Sequence, residues 1–363
     1  MIKIKKKKIL FYIATPMNYA ILKPIYEALK DDERIDIRFT LRFSEKRKQR
    51  NSYPFFSELG EEKIIIKKIA RLMKFDMLLC CDFGFENKRI PVKIHLFHGV
   101  SFRNSTVRGK ISYFDKLFIA GPYMKRLIEK RGLLPAGDDR MEMTGIPKLD
   151  RLLDGTYRKE EILKGLNLDP SLPTIMYAPT HSESSSIYTY GEELLKYMNS
   201  LSGMSRMKVN FLIKLHDLLF DPDRNSVDWR KLINEKKGEN TRLIEDYDIV
   251  PYMCASDILI SDASSVANEF TLLDRPIIFL DSPQLLKDYE KTLDLDTWGR
   301  KAGTVASSIR ELDAAISEAL KNPKEKSAIR KAVSDDIFCN HGRATEAAVE
   351  SIYRLLKMEK NNK

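Results

Sequence analysis

The chain is 363 residues long, which at roughly 100–200 residues per domain leaves room for two or three domains with full cores. Hydrophobic residues make up 43% and charged residues 31%, which excludes a disordered or fibrous chain. The 62 Lys and Arg against 52 Asp and Glu leave a net charge of +10, favouring anionic partners: nucleotides, phosphorylated polymers, nucleic acid or anionic lipid.

The opening residues, MIKIKKKKILFYIATP, are basic and then apolar, but only Ile9–Ala14 is unbroken and no small-residue cleavage site follows. They read as a first β-strand. No window approaches the ~20 apolar residues that a spanning helix needs, so any membrane contact is expected to be peripheral. Short apolar runs then alternate with longer amphipathic stretches, the pattern of α/β layering. Strands are predicted over Ile9–Ala14, Ile35–Leu41, Met77–Cys81, Ile94–His98, Lys116–Ala120 and Met141–Thr144. Helices predicted over Asn18–Lys30, Glu61–Lys74 and Pro122–Arg131 supply crossovers between parallel neighbours. Gly145-Ile146-Pro147 breaks the chain and Asp150–Leu166 reads as a charged amphipathic connector, so the first domain is drawn as 1–150. A second, 151–340, carries strands over Thr174–Ala178, Val209–Leu215, Thr241–Ile244, Ile258–Ser261 and Ile277–Leu280. The last stretch, 341–363, holds a helix over Arg343–Lys357 that is expected to pack back across to the first domain. The expected fold class is α/β, two doubly wound Rossmann-type domains facing a central cleft at the carboxyl ends of their strands, where such sheets place ligands. Cys80, Cys81, Cys254 and Cys339 are too few and too badly spaced for a disulfide framework, which fits a reducing cytosol.

Polar residues at the strand ends are the candidate functional groups. His98 ends its strand and Gly99 permits a tight turn close to a ligand, so His98 suits a general base; the plainer reading is a histidine that hydrogen-bonds the turn. His95, three residues earlier, falls on the opposite face and reads as structural. Thr180 and His181 open a serine-rich loop whose hydroxyls and N–H groups suit an oxyanion or a sugar, although such loops are usually just solvated. Period two puts Lys214 and His216 on one face at a strand end, a cation beside a titratable ring. The sharpest segment is Ser261-Asp262-Ala263-Ser264-Ser265 running on to Asn268, Glu269 and Phe270. There a strand turns into a helix whose first N–H groups and serine hydroxyls would hold a diphosphate, with Glu269 placed to accept from ribose hydroxyls; capping by Ser264 or Ser265 would satisfy the same donors internally. Neither GxGxxG nor GxxxxGK(S/T) occurs, which argues against a dinucleotide oxidoreductase and a P-loop NTPase. No His/Cys cluster has zinc spacing, and the pairs Asp221/Asp223, Asp246/Asp248 and Asp294/Asp296 arise easily by chance in so carboxylate-rich a chain, so no metal and no cofactor are expected. The basic runs Lys3–Lys8, Lys46–Arg50 and Arg103–Lys110 would meet an anionic membrane leaflet or a polyanionic acceptor, or are simply solvated faces.

Five segments, in this order, resemble the CDP-glycerol glycerophosphotransferase family, the enzymes that prime and polymerise teichoic acids. They are His98-Gly99, Gly145-Ile146-Pro147-Lys148-Leu149-Asp150, Ala178-Pro179-Thr180, Lys214-Leu215-His216, and Ser261–Ser265 through Asn268-Glu269-Phe270 to Arg275-Pro276. The resemblance covers most of residues 75–285 and implies a GT-B architecture, the nucleotide held mainly by the second domain and the acceptor approaching from the first. It implies His98 and His216 as the functional histidines, and Thr180, Ser264 and Ser265 on the diphosphate. Asp262 and Glu269 would support that site or the ribose, and Gly99, His181 and Lys214 would complete the donor site. The chain departs from the family pattern at Asp217, where a proline is common, and at His181-Ser182, where an aromatic-basic pair is common; both fall where donor or acceptor would be read. The implied reaction is attack of a hydroxyl, on a glycan or lipid-linked acceptor, at the β-phosphorus of CDP-glycerol or a related CDP-alditol, with CMP leaving. His98 would take the proton, and His216 with Lys214 would stabilise the transferring phosphate. The implied setting is cytoplasmic and peripheral on the inner face of the cell membrane, with no nucleic-acid partner. The alternative is a GT-B glycosyltransferase using a nucleotide-sugar donor, or an epimerase of similar architecture. A non-catalytic polyanion-binding protein is permitted by the charge but explains no strand-end histidine.

Overall fold

The computed structural model describes residues 6–42, 56–59, 61–104, 107, 109–203, 208–223 and 225–359. The chain divides into two compact units, one formed by Met1–Gly99, Thr106–Asp150 and Asp336–Lys363, the other by Val100–Ser105 and Arg151–Asp335.

In the first unit the apolar runs become a six-stranded sheet of β1 (Lys7–Ile13), β2 (Ile35–Leu41), β3 (Met77–Cys80), β4 (Val92–Leu96), β5 (Lys116–Ile119) and β6 (Met141–Met143), in the order β2-β1-β3-β4-β5-β6. All neighbours are parallel. The central strands β1 and β3 are buried on both faces, as their continuous apolar runs require. Strand order reverses between β1 and β3. Two sequence expectations are corrected here. First, β4 ends at Leu96, so His98 stands in the loop beyond the strand rather than on it. Second, the helix expected over Glu61–Lys74 is broken into a 3-10 turn, Glu61–Lys63, and a short helix, Lys67–Leu72. Between them Ile64 bridges to Phe39, and the Ile65 N–H donates to the Phe39 carbonyl at 2.8 Å. Three successive isoleucines, stiff at χ1, favour extended backbone over helix at that point.

The Gly145–Asp150 motif, read as a connector, proves to be a dock for the end of the chain. Gly145 has φ +83°, and a Cβ there would come within 2.5 Å of the Cys339 carbonyl oxygen and 2.8 Å of the Ala344 Cβ. The Asp150 carboxylate accepts the backbone N–H groups of Ala344 (2.9 Å) and Thr345 (2.7 Å), capping the helix Ala344–Leu355. The Tyr353 hydroxyl then donates to Asp32 at 2.8 Å, tying the far end of that helix to the same unit.

The second unit holds β7 (Thr174–Tyr177), β8 (Asn210–Ile213), β9 (Thr241–Leu243), β10 (Ile258–Ser261), β11 (Ile277–Leu280) and β12 (Thr304–Ala306), all parallel, in the order β12-β11-β10-β7-β8-β9. This is the doubly wound order with its switch point between β7 and β10. One face packs Tyr177, Phe211, Ile260 and Ile278 against Leu194 and Met198 of the helix Ser186–Gly203 and Leu312 and Ile316 of the helix Ile309–Lys321. β12 carries no sequence signal: it is three residues long at the sheet edge, with Val305 40% exposed. The basic run Lys46–Arg50 lies outside the described residues, as do residues 3–5, 105, 106 and 108 of the other two runs. Among the described residues no helix is long and apolar enough to cross a membrane.

Candidate active site

At the switch point of the second unit the two motifs after β7 and β10 form a single object. The Ser261 hydroxyl donates to the Ala178 carbonyl at 2.7 Å. Asp262, buried, accepts four hydrogen bonds: through Oδ1 from the N–H groups of Thr180 (2.9 Å) and Ala263 (2.6 Å), and through Oδ2 from the N–H (3.0 Å) and hydroxyl (2.9 Å) of Ser186. Its acceptor capacity goes inward, so it builds the Ala178–Thr180 loop and starts the helix Ser186–Gly203. Glu269, the acceptor expected for ribose hydroxyls, is fully buried. Ser264 and Ser265 do reach the surface. The Ser264 side chain caps the six-residue helix Ser265–Phe270 by a long bond, 3.5 Å, from the Val266 N–H.

β8 lies beside β7 and adds the next pair. Lys214 is buried, its Nζ donating to the Leu215 carbonyl at 3.0 Å and facing Asp217 Oδ1 at 3.8 Å. Burial pushes the Lys214 ammonium below its ordinary value, with Asp217 opposing; burial pushes the Asp217 carboxyl up, with Lys214 opposing. Asp217, the departure from the family pattern, is thus the counter-ion of Lys214. His216 caps the following 3-10 turn: its Nδ1 accepts the Leu218 N–H at 3.2 Å. An amide N–H can only donate, so Nδ1 carries no proton, and the neutral ring bears its proton on Nε2. The His181 ring lies 4.5 Å from that of His216, centroid to centroid.

Residues 100–105 also belong to this unit. Val100 accepts from Asn268 Nδ2 at 2.7 Å, and the Phe102 carbonyl from the Asp294 N–H at 2.8 Å. The Phe102 ring meets Phe279 edge-on. These contacts carry Arg103, read from sequence as the start of a solvated basic run, into a buried position where its Nε donates to the Ala263 carbonyl at 2.9 Å. Its guanidinium lies 4.7 Å from the centre of the Tyr289 ring. Nothing in the local sequence announces this, because the burial depends on partners more than 150 residues away, as the separation of Arg103 and Ala263 shows.

In the first unit, His98 and Gly99 follow β4 beside the switch between β1 and β3. The His98 Nδ1 lies 3.3 Å from the Cys81 carbonyl, one residue past β3. A carbonyl can only accept, so Nδ1 donates and Nε2 is the basic nitrogen of the neutral ring. His95 is buried, stacked on Phe83 at 4.8 Å and edge-on to Phe97 at 4.8 Å, an aromatic brace under the loop. The Asp-x-Asp pairs act in turns: Asp221 accepts the Asp223 N–H at 3.1 Å, Asp246 that of Asp248 at 3.2 Å, and Asp294 that of Thr297 at 2.9 Å. Among the described residues no group of three His, Cys, Asp or Glu could hold a metal ion.

The family model described as CDP-Glycerol:Poly(glycerophosphate) glycerophosphotransferase matches residues 4–354. A teichoic acid glycerol-phosphate primase of Bacillus spizizenii is 24% identical over 198 residues, 53% of this chain and 44% of that protein, so the chain spans less than half of that relative's length. The structure of the wall teichoic acid polymerase TagF aligns with TM-score 0.67 at 18% identity, over 97% of this chain and 89% of that one. The S. aureus MnaA–UDP co-structure aligns with TM-score 0.65 at 15% identity, over 98% and 99%. At these identities the structural likeness shows the fold, which is GT-B-like.

Proposed function

The chain belongs to the CDP-glycerol:poly(glycerophosphate) glycerophosphotransferase family, and from that membership we propose that it transfers glycerol phosphate, or a related alditol phosphate, from a CDP-linked donor to a hydroxyl of a teichoic-acid-like, glycan or lipid-linked acceptor. The acceptor oxygen bonds to the β-phosphorus, the bond from that phosphorus to the CMP oxygen breaks, and CMP leaves. The observation that carries the reading is the opposite anchoring of the two imidazoles. His98 gives its Nδ1 proton to the Cys81 carbonyl, which makes Nε2 a base for the acceptor hydroxyl. His216 spends Nδ1 as an acceptor, which makes its Nε2–H a donor to a phosphate oxygen. Lys214 adds positive charge on the same strand end, and the half-exposed hydroxyls of Ser264 and Ser265 are assigned to the leaving diphosphate. His181 sits beside His216 as part of the donor side, while Thr180 and Asp262 shape the loop.

Incubating the protein with CDP-, UDP- and GDP-linked donors and identifying the released nucleotide tests this. CMP from CDP-glycerol is the expected product, and a nucleoside diphosphate released from a nucleotide-sugar would point to glycosyl transfer instead. His98→Ala and His216→Ala should each lower CMP release by about 10²–10⁴-fold in folded protein; near-normal turnover in either removes that residue from the chemistry.

We also assign the reaction to an anionic membrane surface on its cytoplasmic side. The net charge of +10 supports this, and so does the helix Lys67–Leu72, where Ile69 (46% exposed) and Leu72 (75% exposed) stand among Lys67, Lys68 and Arg71. Co-sedimentation with anionic vesicles at low and high salt checks it, and absence of binding at low salt dismisses it.

A further inference from the structure

Three cationic side chains are buried among the described residues of the second unit: Arg330 at 2% exposure, Lys214 at 7% and Arg103 at 9%. Burying such a charge is costly unless an anion compensates it. Arg330 has its anion, with Nε 3.0 Å from Asp274 Oδ1, and Lys214 faces Asp217. Arg103 differs. Its Nε is spent on a neutral carbonyl, that of Ala263, and its face on the Tyr289 ring. Among the described residues no carboxylate lies within ion-pair distance of it, and none accepts from either Nη nitrogen. The fold therefore fixes the fork of this guanidinium at its root and along its plane, while no described residue supplies a counter-ion. The turn that receives Nε runs directly into Ser264 and Ser265, both of which reach the surface at the β7/β10 switch point.

From this juxtaposition we infer that Arg103 is the anion ligand of the second unit and grips the diphosphate of a nucleoside diphosphate donor. The planar fork matches two phosphate oxygens at once, which a lysine's point charge does not, and the bound anion supplies the compensation that no described residue gives. The cation–π contact with Tyr289 holds the plane without neutralising the charge. The inference rests on the reading of this unit as the donor-binding unit and adds to it a residue that the motif pattern passes over.

Full-length wild type, Arg103→Gln, Arg103→Lys and Tyr289→Leu are titrated calorimetrically with cytidine, CMP, CDP, UDP and inorganic pyrophosphate, with thermal melts alongside. Arg103→Gln should weaken CDP and pyrophosphate by about 10–100-fold and cytidine by less than about twofold, with Arg103→Lys in between. Tyr289→Leu, which leaves the Nε bond in place, should weaken the diphosphates by about 3–10-fold and covers the case in which Arg103→Gln does not fold. Equal losses for cytidine, CMP and CDP would reduce Arg103 to a brace for the Ala263 turn and overturn the inference, as would undiminished CDP binding. Arg103-dependent binding of UDP and pyrophosphate without CDP would sink the cytidine reading and leave the inference standing. A wild-type protein that takes up none of the diphosphates refutes both.

Discussion

Asp262→Asn is the most informative single change in the second unit, because it preserves shape and removes one charge. The carboxylate receives two N–H donors on Oδ1 and an N–H with a hydroxyl on Oδ2. An asparagine turns its carbonyl to one pair and sets its NH₂ against the other. With the carbonyl on Thr180 and Ala263, the Ser186 hydroxyl can rotate to accept, but the Ser186 N–H is left facing a donor in a buried site. Hydrogen bonds to charged groups contribute about 1.5–3 kcal/mol each, and a stranded buried N–H costs about 1–3 kcal/mol, so the second unit should lose about 3–5 kcal/mol. Both tryptophans of the chain, Trp229 and Trp298, lie within Arg151–Asp335, so tryptophan fluorescence in a urea titration reports on this unit. The transition should move to lower urea with its slope kept. A midpoint equal to wild type would mean that Asp262 does not organise the loop and that its acceptors are satisfied some other way.

Gly145→Ala should cost about 2–4 kcal/mol, from the left-handed backbone and the contact with Cys339, and should speed hydrogen exchange over residues 339–355 before the rest of the first unit. His216→Asn keeps a side-chain acceptor for the Leu218 N–H but withdraws the Nε2–H, so the thermal midpoint should hold while CMP release falls by about 10²–10³-fold; matching losses of both would make the residue only a cap. Asp138 is held down at about 2, chiefly by the side-chain hydrogen bonds from Arg140, against an ordinary value of 3.8. A carboxylate depressed in the folded state stabilises above its unfolded value and loses that contribution as the pH falls toward the folded one. The melting difference between wild type and Asp138→Asn should therefore be full near pH 6 and shrink between about pH 4 and pH 2; a constant difference would contradict the pairing.

What could be read from the chain follows the range of the interactions concerned. The runs Ile258–Ser261 and Ile277–Leu280 are strands with the very bounds their apolar pattern gives, since burial on both faces of a parallel sheet writes itself into consecutive residues, and the edge strand Ile35–Leu41 is legible instead from its alternation of apolar and polar residues. Ala178–Thr180 and Ser261–Ser265 were visible as separate polar interruptions, but their union through Asp262 depends on strand order, which no local pattern carries. The Gly145–Asp150 motif looked like a boundary because its partners, Ala344 and Thr345, come 194 and 195 residues after Asp150. Arg103 was equally illegible: a basic residue in a basic run reads as solvated until the fold brings Ala263 and Tyr289 to it.

The interleaving of the two units sets the order in which a ribosome can finish them. Every strand of the second sheet has been made by residue 306, and Val100–Ser105, which that unit also needs, was made long before. The sheet that emerges first instead waits for Ala344–Leu355 to cap onto Asp150. The amino-terminal sheet is thus the last to be sealed, and a translation arrest after residue 335 but before residue 344 would leave it, rather than its later-made companion, exposed to chaperones and proteases.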